Sequence, residues 1–191
     1  MIESTLSTIQ NSPQQAVQPS SLQTASPSNE IDNSLGNKEN VEVTNQIENK
    51  TVAEYLKENF PQITPEEIDI YEQAGLKIEV TDGRVCLNST KIDLNYKDAL
   101  GRTNLERMKQ GLAPLDSETG LPYELHHVGQ ANDGPLAELT HQQHMTPPNN
   151  LTLHRIRNGS EVDHGASWDQ LRSEHWKARA EQLEQQLNAG A

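Results

Sequence analysis

Histidines are confined to the last third of this chain. All seven lie between His126 and His175, and none occurs in the first 125 residues. Neutral imidazole is a common metal ligand, and histidine is the side chain whose charge changes near neutral pH. The pair His126-His127, which a glycine-containing turn follows, therefore predicts a metal site or an acid–base site in this part of the chain.

His126 and His127 are neighbours on a segment that we predict to be extended. Successive side chains of a strand point to opposite faces, so the two rings cannot easily chelate one ion together. One ring can hold a metal while the other reaches a water molecule on the far side of a phosphate. By the same alternation Glu124 shares a face with His126, where it either accepts a hydrogen bond from that ring or remains a solvated carboxylate.

The N-terminal quarter of the chain shows no pattern that predicts a packed structure. Residues 1–50 are mostly Ser, Thr, Gln, Asn and Pro, and they contain no aromatic residue and no cysteine. Such a segment cannot bury enough apolar surface to offset the entropy lost on ordering. We predict that residues 1–50 form a disordered linker that is dispensable for activity.

Helix starts recur along the remainder of the chain. The capping-box pattern Ser/Thr-x-x-Glu/Gln begins at Thr51, Thr64, Thr103, Thr140 and Ser167. The helix from Ser167 is predicted to reach about Leu187. Its apolar members, which we assign to the core, are Trp168, Leu171, Trp176, Ala180 and Leu183.

A hairpin is predicted between the second and third of these helices. Residues 76–81 alternate between apolar and polar side chains, Asp82-Gly83 supplies a two-residue turn, and residues 84–87 continue as a second strand. We interpret residues 51–92 as a small αβ accessory module and residues 93–188 as the domain that carries the histidines.

Several blocks of the chain between Leu94 and Arg179 resemble the LHH family of the HNH/endonuclease VII superfamily of nucleases. The blocks are Gly101-Arg-Thr-Asn-Leu-Glu-Arg-Met108, Gly111-Leu-Ala-Pro114, Glu124-Leu-His-His-Val-Gly-Gln130, Pro135-Leu-Ala-Glu-Leu-Thr140 with His144, Leu153-His154, and Arg172 with Trp176-Lys-Ala-Arg179. A match over several spaced blocks is more specific than a three-letter motif. The resemblance implies an α+β fold with a ββα-metal (His-Me finger) core and flanking helices.

The resemblance also implies roles for four histidines. His127 is the expected general base, and His126 is a metal ligand. The spacing Thr140-x-x-x-His144 is similar to the helix start of nuclease colicins, which makes His144 the helix ligand. The superfamily expects another ligand one turn later, but Pro148 stands there. His154 is our first choice for the third ligand, and Asn149 is the second.

Other polar residues of the region have two interpretations each. Arg102, Gln130 and Arg179 are candidates for contacts to substrate or to the ligands, and Asn104 either contacts phosphate or pins a helix start. His141, His164 and His175 are expected to be surface or cap residues. A structural zinc site is the alternative interpretation of these histidines, although no cysteine accompanies them and closed structural sites are usually rich in cysteine.

The acidic net charge argues, at first sight, against nucleic-acid binding and is the weakest point of the nuclease interpretation. The chain carries −13, but residues 91–191 carry only −4, and a local basic patch is expected from Arg155, Arg157, Arg172, Lys177 and Arg179. We expect one divalent cation, which is Zn²⁺, Ni²⁺, Mg²⁺ or Mn²⁺, and a nucleic acid substrate, with DNA favoured by the superfamily. The alternative is a non-catalytic, metal-stabilised binding module.

Families of this type are typically C-terminal toxin modules of bacterial polymorphic toxins, so the resemblance implies a cognate immunity protein as partner. We expect a secreted or delivered effector that acts in the cytoplasm of a target cell, either as a fragment of a longer toxin or as a short effector. No signal peptide, transmembrane segment or membrane partner is expected, since no run of about 18 apolar residues occurs.

Overall fold

The computed structural model describes residues 47, 49–154, 162 and 165–190. Of residues 1–50, which we predict to be a disordered linker, the structure describes only residues 47, 49 and 50. The prediction for the remainder of the linker lies outside the described residues. The same holds for Arg155 and Arg157 of the predicted basic patch, and for His164.

Two helices follow residue 50, and both begin where the capping pattern predicts. Helix α1 spans Val52–Asn59 and is capped by Thr51 in a capping box with Glu54. Helix α2 spans Pro65–Ala74, and the Thr64 side chain accepts a hydrogen bond from the backbone N–H of Glu67. Each cap satisfies a backbone donor that has no partner within the helix, so these boundaries are set locally.

A hairpin follows α2, as predicted. Strand β1 spans Leu76–Thr81, strand β2 spans Arg84–Ser89, and the two pair antiparallel. Asp82 and Gly83 have φ values of 52° and 70°. A two-residue type I′ turn requires positive φ at both central positions, which Asp-Gly tolerates.

The described residues of the second half of the chain form a further hairpin and four helices. These elements are helix α3 (Asn104–Lys109), strand β3 (Glu124–His127), a 3₁₀ turn (Val128–Gln130), strand β4 (Leu136–Leu139), and helices α4 (His141–Met145), α5 (Asn149–Leu153) and α6 (Ala166–Ala189). Capping boxes at Thr103 and Thr140 begin α3 and α4 as predicted. The segment around His126 and His127 that was predicted to be extended forms strand β3 over Glu124–His127, and the 3₁₀ turn begins at Val128.

Two features of this half differ from the sequence prediction. Helix α6 begins at Ala166 with Gly165 as its N-cap and no side-chain cap bond, so the capping box predicted at Ser167 is wrong. Helix α5 has no side-chain cap bond at Pro148 and was not predicted. Neither start carries a local side-chain signal of the kind that marks α1 and α3.

The four strands found among the described residues form one sheet in the order β1-β2-β4-β3. Strands β3 and β4 pair antiparallel, whereas β2 and β4 pair parallel through Cys86–Leu136 and Leu87–Ala137. The parallel pair joins residues 51–92 to the following segment across the boundary proposed at residue 92. The division into an accessory module and a nuclease domain stays a prediction.

The sheet separates two hydrophobic clusters. One packs α1, α2 and α5 against one face and includes Tyr71, Val128, Ala137 and Leu153. The other packs α3 and α6 against the opposite face and includes Met108, Leu136, Trp168 and Trp176. The apolar residues predicted along α6 are confirmed as core, since Trp168, Trp176 and Ala180 are buried and Leu171 and Leu183 are partly buried.

The architecture is α+β, with a small sheet and several helices, as predicted. The hairpin β3–β4 followed directly by α4 supplies the ββα core, and the other helices flank it. No helix in the described ranges combines the length and the apolar character that crossing a bilayer requires.

Candidate metal centre and active site

Strand β3 distributes its polar side chains between the two faces of the sheet as alternation predicts. His126 lies opposite Ala137 and His127 lies opposite Leu136 on β4. Opposed residues of an antiparallel pair share a face. His126 therefore belongs to the face covered by α1, α2 and α5, and His127 to the face covered by α6.

Helix α4 brings two histidines to the carboxylate of Glu124. The cap at Thr140 starts the helix so that His141 and His144 fall one turn apart on the same side. Nδ1 of His141 lies 2.7 Å from Oε1 of Glu124, and Nδ1 of His144 bonds to Oε2 of the same carboxylate. His141 was expected to be a surface or cap residue, and its side chain is 46% exposed, but it is nevertheless anchored to this carboxylate.

Helix α5 delivers the third histidine of the site. His154 follows the last residue of α5 as its C-cap, and its Nδ1 lies 3.1 Å from the carbonyl oxygen of Asn150. A carbonyl oxygen only accepts, so Nδ1 must donate, which places the lone pair of a neutral ring on Nε2. His154 is thus supplied by a second short helix and not by a continuation of α4.

His126, His144 and His154 form one cluster. Each offers a ring nitrogen, and these nitrogens all lie within 4.8 Å of one another. Nδ1 of His126 is 3.1 Å from Nε2 of His144. Two nitrogens bound to one zinc ion at about 2.0–2.1 Å in tetrahedral geometry lie about 3.3 Å apart. The spacing of these two rings therefore suits a shared cation.

The protonation of the cluster also suits a cation. Burial lowers the pKa of His126 well below its ordinary value, and the neighbouring His144, His154 and His127 lower it further. Nε2 of His126 is buried and has no hydrogen-bond partner among the residues that the structure describes. A neutral imidazole retains one lone pair for a cation, and the nitrogen of His126 that faces His144 is Nδ1, not the unpartnered Nε2.

Glu124 fixes the ring of His144. Burial opposes ionisation of this carboxyl group, but hydrogen bonds from His144 and His141 outweigh it and lower the pKa of Glu124. An ionised carboxylate only accepts, so Nδ1 of His144 donates and Nε2 carries the lone pair. Carboxylate–histidine pairs of this kind commonly orient metal ligands. The sequence placed Glu124 beside His126, but its described hydrogen bonds go to His144 and His141.

His127 lies beside the cluster, where its ring packs against Trp168 of α6. The ring centroids are 4.5 Å apart with an interplanar angle of 39°, and His127 is 5% exposed. A cavity of about 250 Å³ opens at this point, and it is lined by Leu125, His126, His127, Gln130, His144, His154 and Val162. The three clustered rings and His127 thus face one common space.

Gln130 is the one additional sequence candidate that the structure places at this cavity within the described ranges. The amide nitrogen of Asn149 donates to the backbone carbonyl of Gln143 at 2.9 Å. Asn149 is thus engaged with helix α4, which supports His154 as the third ligand.

Arg102 and Asn104 lie in the loop that precedes and begins α3. The guanidinium of Arg102 bonds to Asp98 and to Gln110. The buried side chain of Asn104 makes three bonds, to the carbonyl oxygens of Asp93 and Leu115 and from the N–H of Leu115. Of the two roles predicted for Asn104, these contacts favour fixing the loop at the start of α3 over binding phosphate.

A second buried polar group lies on the α6 face of the sheet. Glu138 of β4 accepts from Arg179, bonds to Nε2 of His175 at 2.9 Å, and accepts from the backbone N–H of Ser89 at 2.7 Å. His175 and Arg179 are each 3% exposed. The expectation that His175 is a surface or cap residue is wrong, because Glu138 offers it a buried partner.

The sequence comparisons agree with this geometry. Residues 103–182 match a family model described as LHH, a nuclease of the HNH/ENDO VII superfamily with conserved LHH. No solved structure matches the chain. The matched segment contains Leu125-His126-His127 and both helical histidines of the cluster. Residues 103–182 are therefore similar to the LHH nucleases of the HNH/ENDO VII superfamily, and this match indicates a hydrolase that acts on phosphodiester bonds.

Proposed function

We propose that this nuclease is a metal-dependent endonuclease that cuts DNA. One divalent cation is held by His126, His144 and His154, and His127 is the general base. The observation that carries the proposal is the convergence of three histidine nitrogens within 4.8 Å of one another, in a cavity that His127 also lines. A metal-stabilised binding module would need the three ligands but would not need His127.

The three histidine ligands limit the choice of cation. Three neutral imidazoles suit Zn²⁺ or Ni²⁺ by ligand softness, whereas Mg²⁺ and Mn²⁺ are favoured where water and carboxylate complete the shell. When bound, such an ion stabilises negative charge on the phosphate oxygens during hydrolysis. Three protein ligands leave room for the substrate in the coordination shell. The lowered pKa of His126, the approach of its Nδ1 to His144, and the anchored rings of His144 and His154 support this assignment.

His127 has the position that a general base needs. Its backbone places it on the opposite face of β3 from His126, yet both rings line one cavity. As a neutral imidazole it takes a proton from a water molecule while the water oxygen attacks phosphorus and the bond to the leaving 3′-oxygen breaks. Contact with Trp168 restrains the ring of His127 beside this cavity.

A nicking assay on supercoiled plasmid tests these roles. General-base catalysis contributes about 10²–10⁴-fold, so His127→Ala should lose activity by that factor while its metal content stays unchanged. His144→Ala should lose metal and activity together. Gln142→Ala, on the exposed side of α4, is the matched control and should behave as wild type. Full activity of His127→Ala, or wild-type metal content in His144→Ala, would show that the roles are misassigned.

The biological setting proposed is that of a toxin delivered into the cytoplasm of a target cell and neutralised by an immunity protein that covers the cavity or an adjacent surface. Resemblance to toxin modules of the LHH type supports this setting. Expression of residues 51–191 in bacteria that lack the gene of the immunity protein should arrest growth. Normal growth with soluble, metal-loaded protein would argue against a toxin, and the nicking assay would still report the nuclease.

A further inference from the structure

A buried carboxylate outside the family-matched segment reaches the turn of the active site. Glu67 lies in the first turn of α2 and is 2% exposed. Its Oε1 accepts a hydrogen bond from the backbone N–H of Gly129 at 2.8 Å, across 62 residues of sequence. Burial of a carboxylate is costly unless donors compensate for lost water, so a contact of this kind requires a specific arrangement of donors.

Tyr71 supplies the second donor to the same oxygen. Its hydroxyl donates to Oε1 of Glu67 at 2.7 Å, one helical turn away on α2. Tyr71 is fully buried, and its ring centroid is 6.3 Å from that of His126. The carboxylate and the phenol therefore form one unit that touches both the metal ligand and the turn that follows it.

The turn that Glu67 holds begins immediately after His127. Gly129 has a φ of 67°, in the left-handed region, and a Cβ at this position would lie 3.4 Å from Cγ1 of Ile63. Val128 donates to the carbonyl oxygen of Pro135 across the turn. Because His126 and His127 end the strand at this point, a shift of Gly129 would displace the backbone that carries both rings.

We propose that Glu67 and Tyr71 are positioning residues of the nuclease site. The pair fixes the N–H of Gly129 and packs on His126, so that the ligand and the base keep their separation within the cavity. Residues 51–92 thereby complete the active site that the family-matched segment begins. This inference rests on the proposed roles of His126 and His127.

The effect of removing the anchor follows from its place. Hydrogen-bond partners that orient metal ligands typically change metal affinity or activity by about 10–100-fold. Glu67→Ala should lower kcat and metal affinity by roughly that factor, with little change in KM. Glu67→Gln keeps an acceptor oxygen for Gly129 and should recover most of the loss. Tyr71→Phe should have a smaller effect, because the ring still packs on His126. Glu66→Ala, at an exposed neighbouring position of α2, should match wild type.

Amide hydrogen exchange gives a readout independent of catalysis. In the wild type the amide of Gly129 should exchange slowly, and Glu67→Ala should accelerate exchange in residues 126–134 more than elsewhere. A Gly129 amide that exchanges as fast as an exposed turn in the wild type would overturn the proposal, even if Glu67→Ala fails to fold. So would a folded Glu67→Ala with wild-type kcat and metal affinity.

These results are separable from a failure of the proposed function. If the wild type binds no cation or cuts no DNA, the proposed function fails. Slow exchange at Gly129 and its loss in Glu67→Ala would still show that Glu67 holds the turn. If the wild type cuts DNA in a metal-dependent manner and Glu67→Ala does so equally well, the positioning inference alone fails.

Discussion

Metal binding should depend on Glu124, although Glu124 is not itself a ligand of the proposed cation. One oxygen of its carboxylate bonds to Nδ1 of His144 and the other to Nδ1 of His141. Replacement by alanine frees the ring of His144 to rotate and to exchange tautomers. Nε2 of His144 would then present its lone pair to the cluster for only part of the time, and metal affinity should fall.

The size of the effect follows from the bond that is lost. A hydrogen bond to a charged group contributes about 1.5–3 kcal/mol, and about 1.4 kcal/mol corresponds to a tenfold change in Kd. This gives a range of roughly 10- to 100-fold, which is the range typical of partners of metal-ligating histidines. The side chain of Glu124 is 29% exposed, so water partly replaces the bond. We therefore expect the lower end, about tenfold weaker binding.

Competition with a chromophoric chelator on metal-free protein measures this Kd directly. Glu124→Gln retains a neutral acceptor, which forms a weaker bond than a carboxylate, and it should fall between wild type and Glu124→Ala. His141→Ala is the matched control, since it removes only the other partner of the same carboxylate. An exposed pair contributes about 0.2–1 kcal/mol, so His141→Ala should change Kd by less than about fivefold.

Two outcomes would refute this reasoning. The first is a folded Glu124→Ala that binds the cation as tightly as wild type, which would mean that packing alone orients His144. The second is an equal loss of affinity in His141→Ala and Glu124→Ala, which would mean that the contact of Glu124 with His141, and not its bond to His144, governs metal affinity. Circular dichroism of each variant checks that the fold is retained.

Two further predictions concern the scaffold. Burial, with a contribution from the charge of Glu138, raises the pKa of the Cys86 thiol to about 12. Iodoacetamide at pH 8 should therefore label the native protein at least about a hundredfold more slowly than the urea-unfolded chain. Equal labelling rates would contradict this prediction. Burial opposes ionisation of Asp98, but hydrogen bonds from Arg102 and Arg107 outweigh it and hold the pKa of this carboxyl well below its usual range. The stability that these bonds contribute is fully present above the unfolded pKa of about 3.9 and is lost as pH falls through the folded value. Asp98→Asn should therefore lower the urea midpoint at pH 7. If the difference in urea midpoint between this variant and wild type fails to shrink below about pH 4, the linkage is disproved.

Several elements could be predicted because their signals act over two or three residues. Thr51, Thr103 and Thr140 each cap a helix through a bond to the third residue that follows. The Asp82-Gly83 turn sets the register of its hairpin in the same local manner. Alternation along β3 separated His126 from His127 for the same reason, since side-chain direction is a property of the strand itself.

The choice of partners across the chain was decided by the tertiary structure. The parallel pairing of β2 with β4, the burial of His175 on Glu138, and the contact of Glu67 with Gly129 all join segments far apart in sequence. No local pattern encodes them, because each depends on which faces pack together. Helix α5, whose N-cap Pro148 makes no side-chain cap bond, escaped prediction for a related reason.

The candidate site illustrates the same division. The sequence by itself determined that histidines concentrate after residue 125, that Thr140 starts a helix, and that Glu124 shares a strand face with His126. Only the tertiary structure brought His154 to His126 and His144, and gave Glu124 to His144 and His141. The sequence itself specifies the chemical type of each side chain and its spacing along one element. The distances between side chains on separate elements arise only when apolar faces pack and bring those elements together.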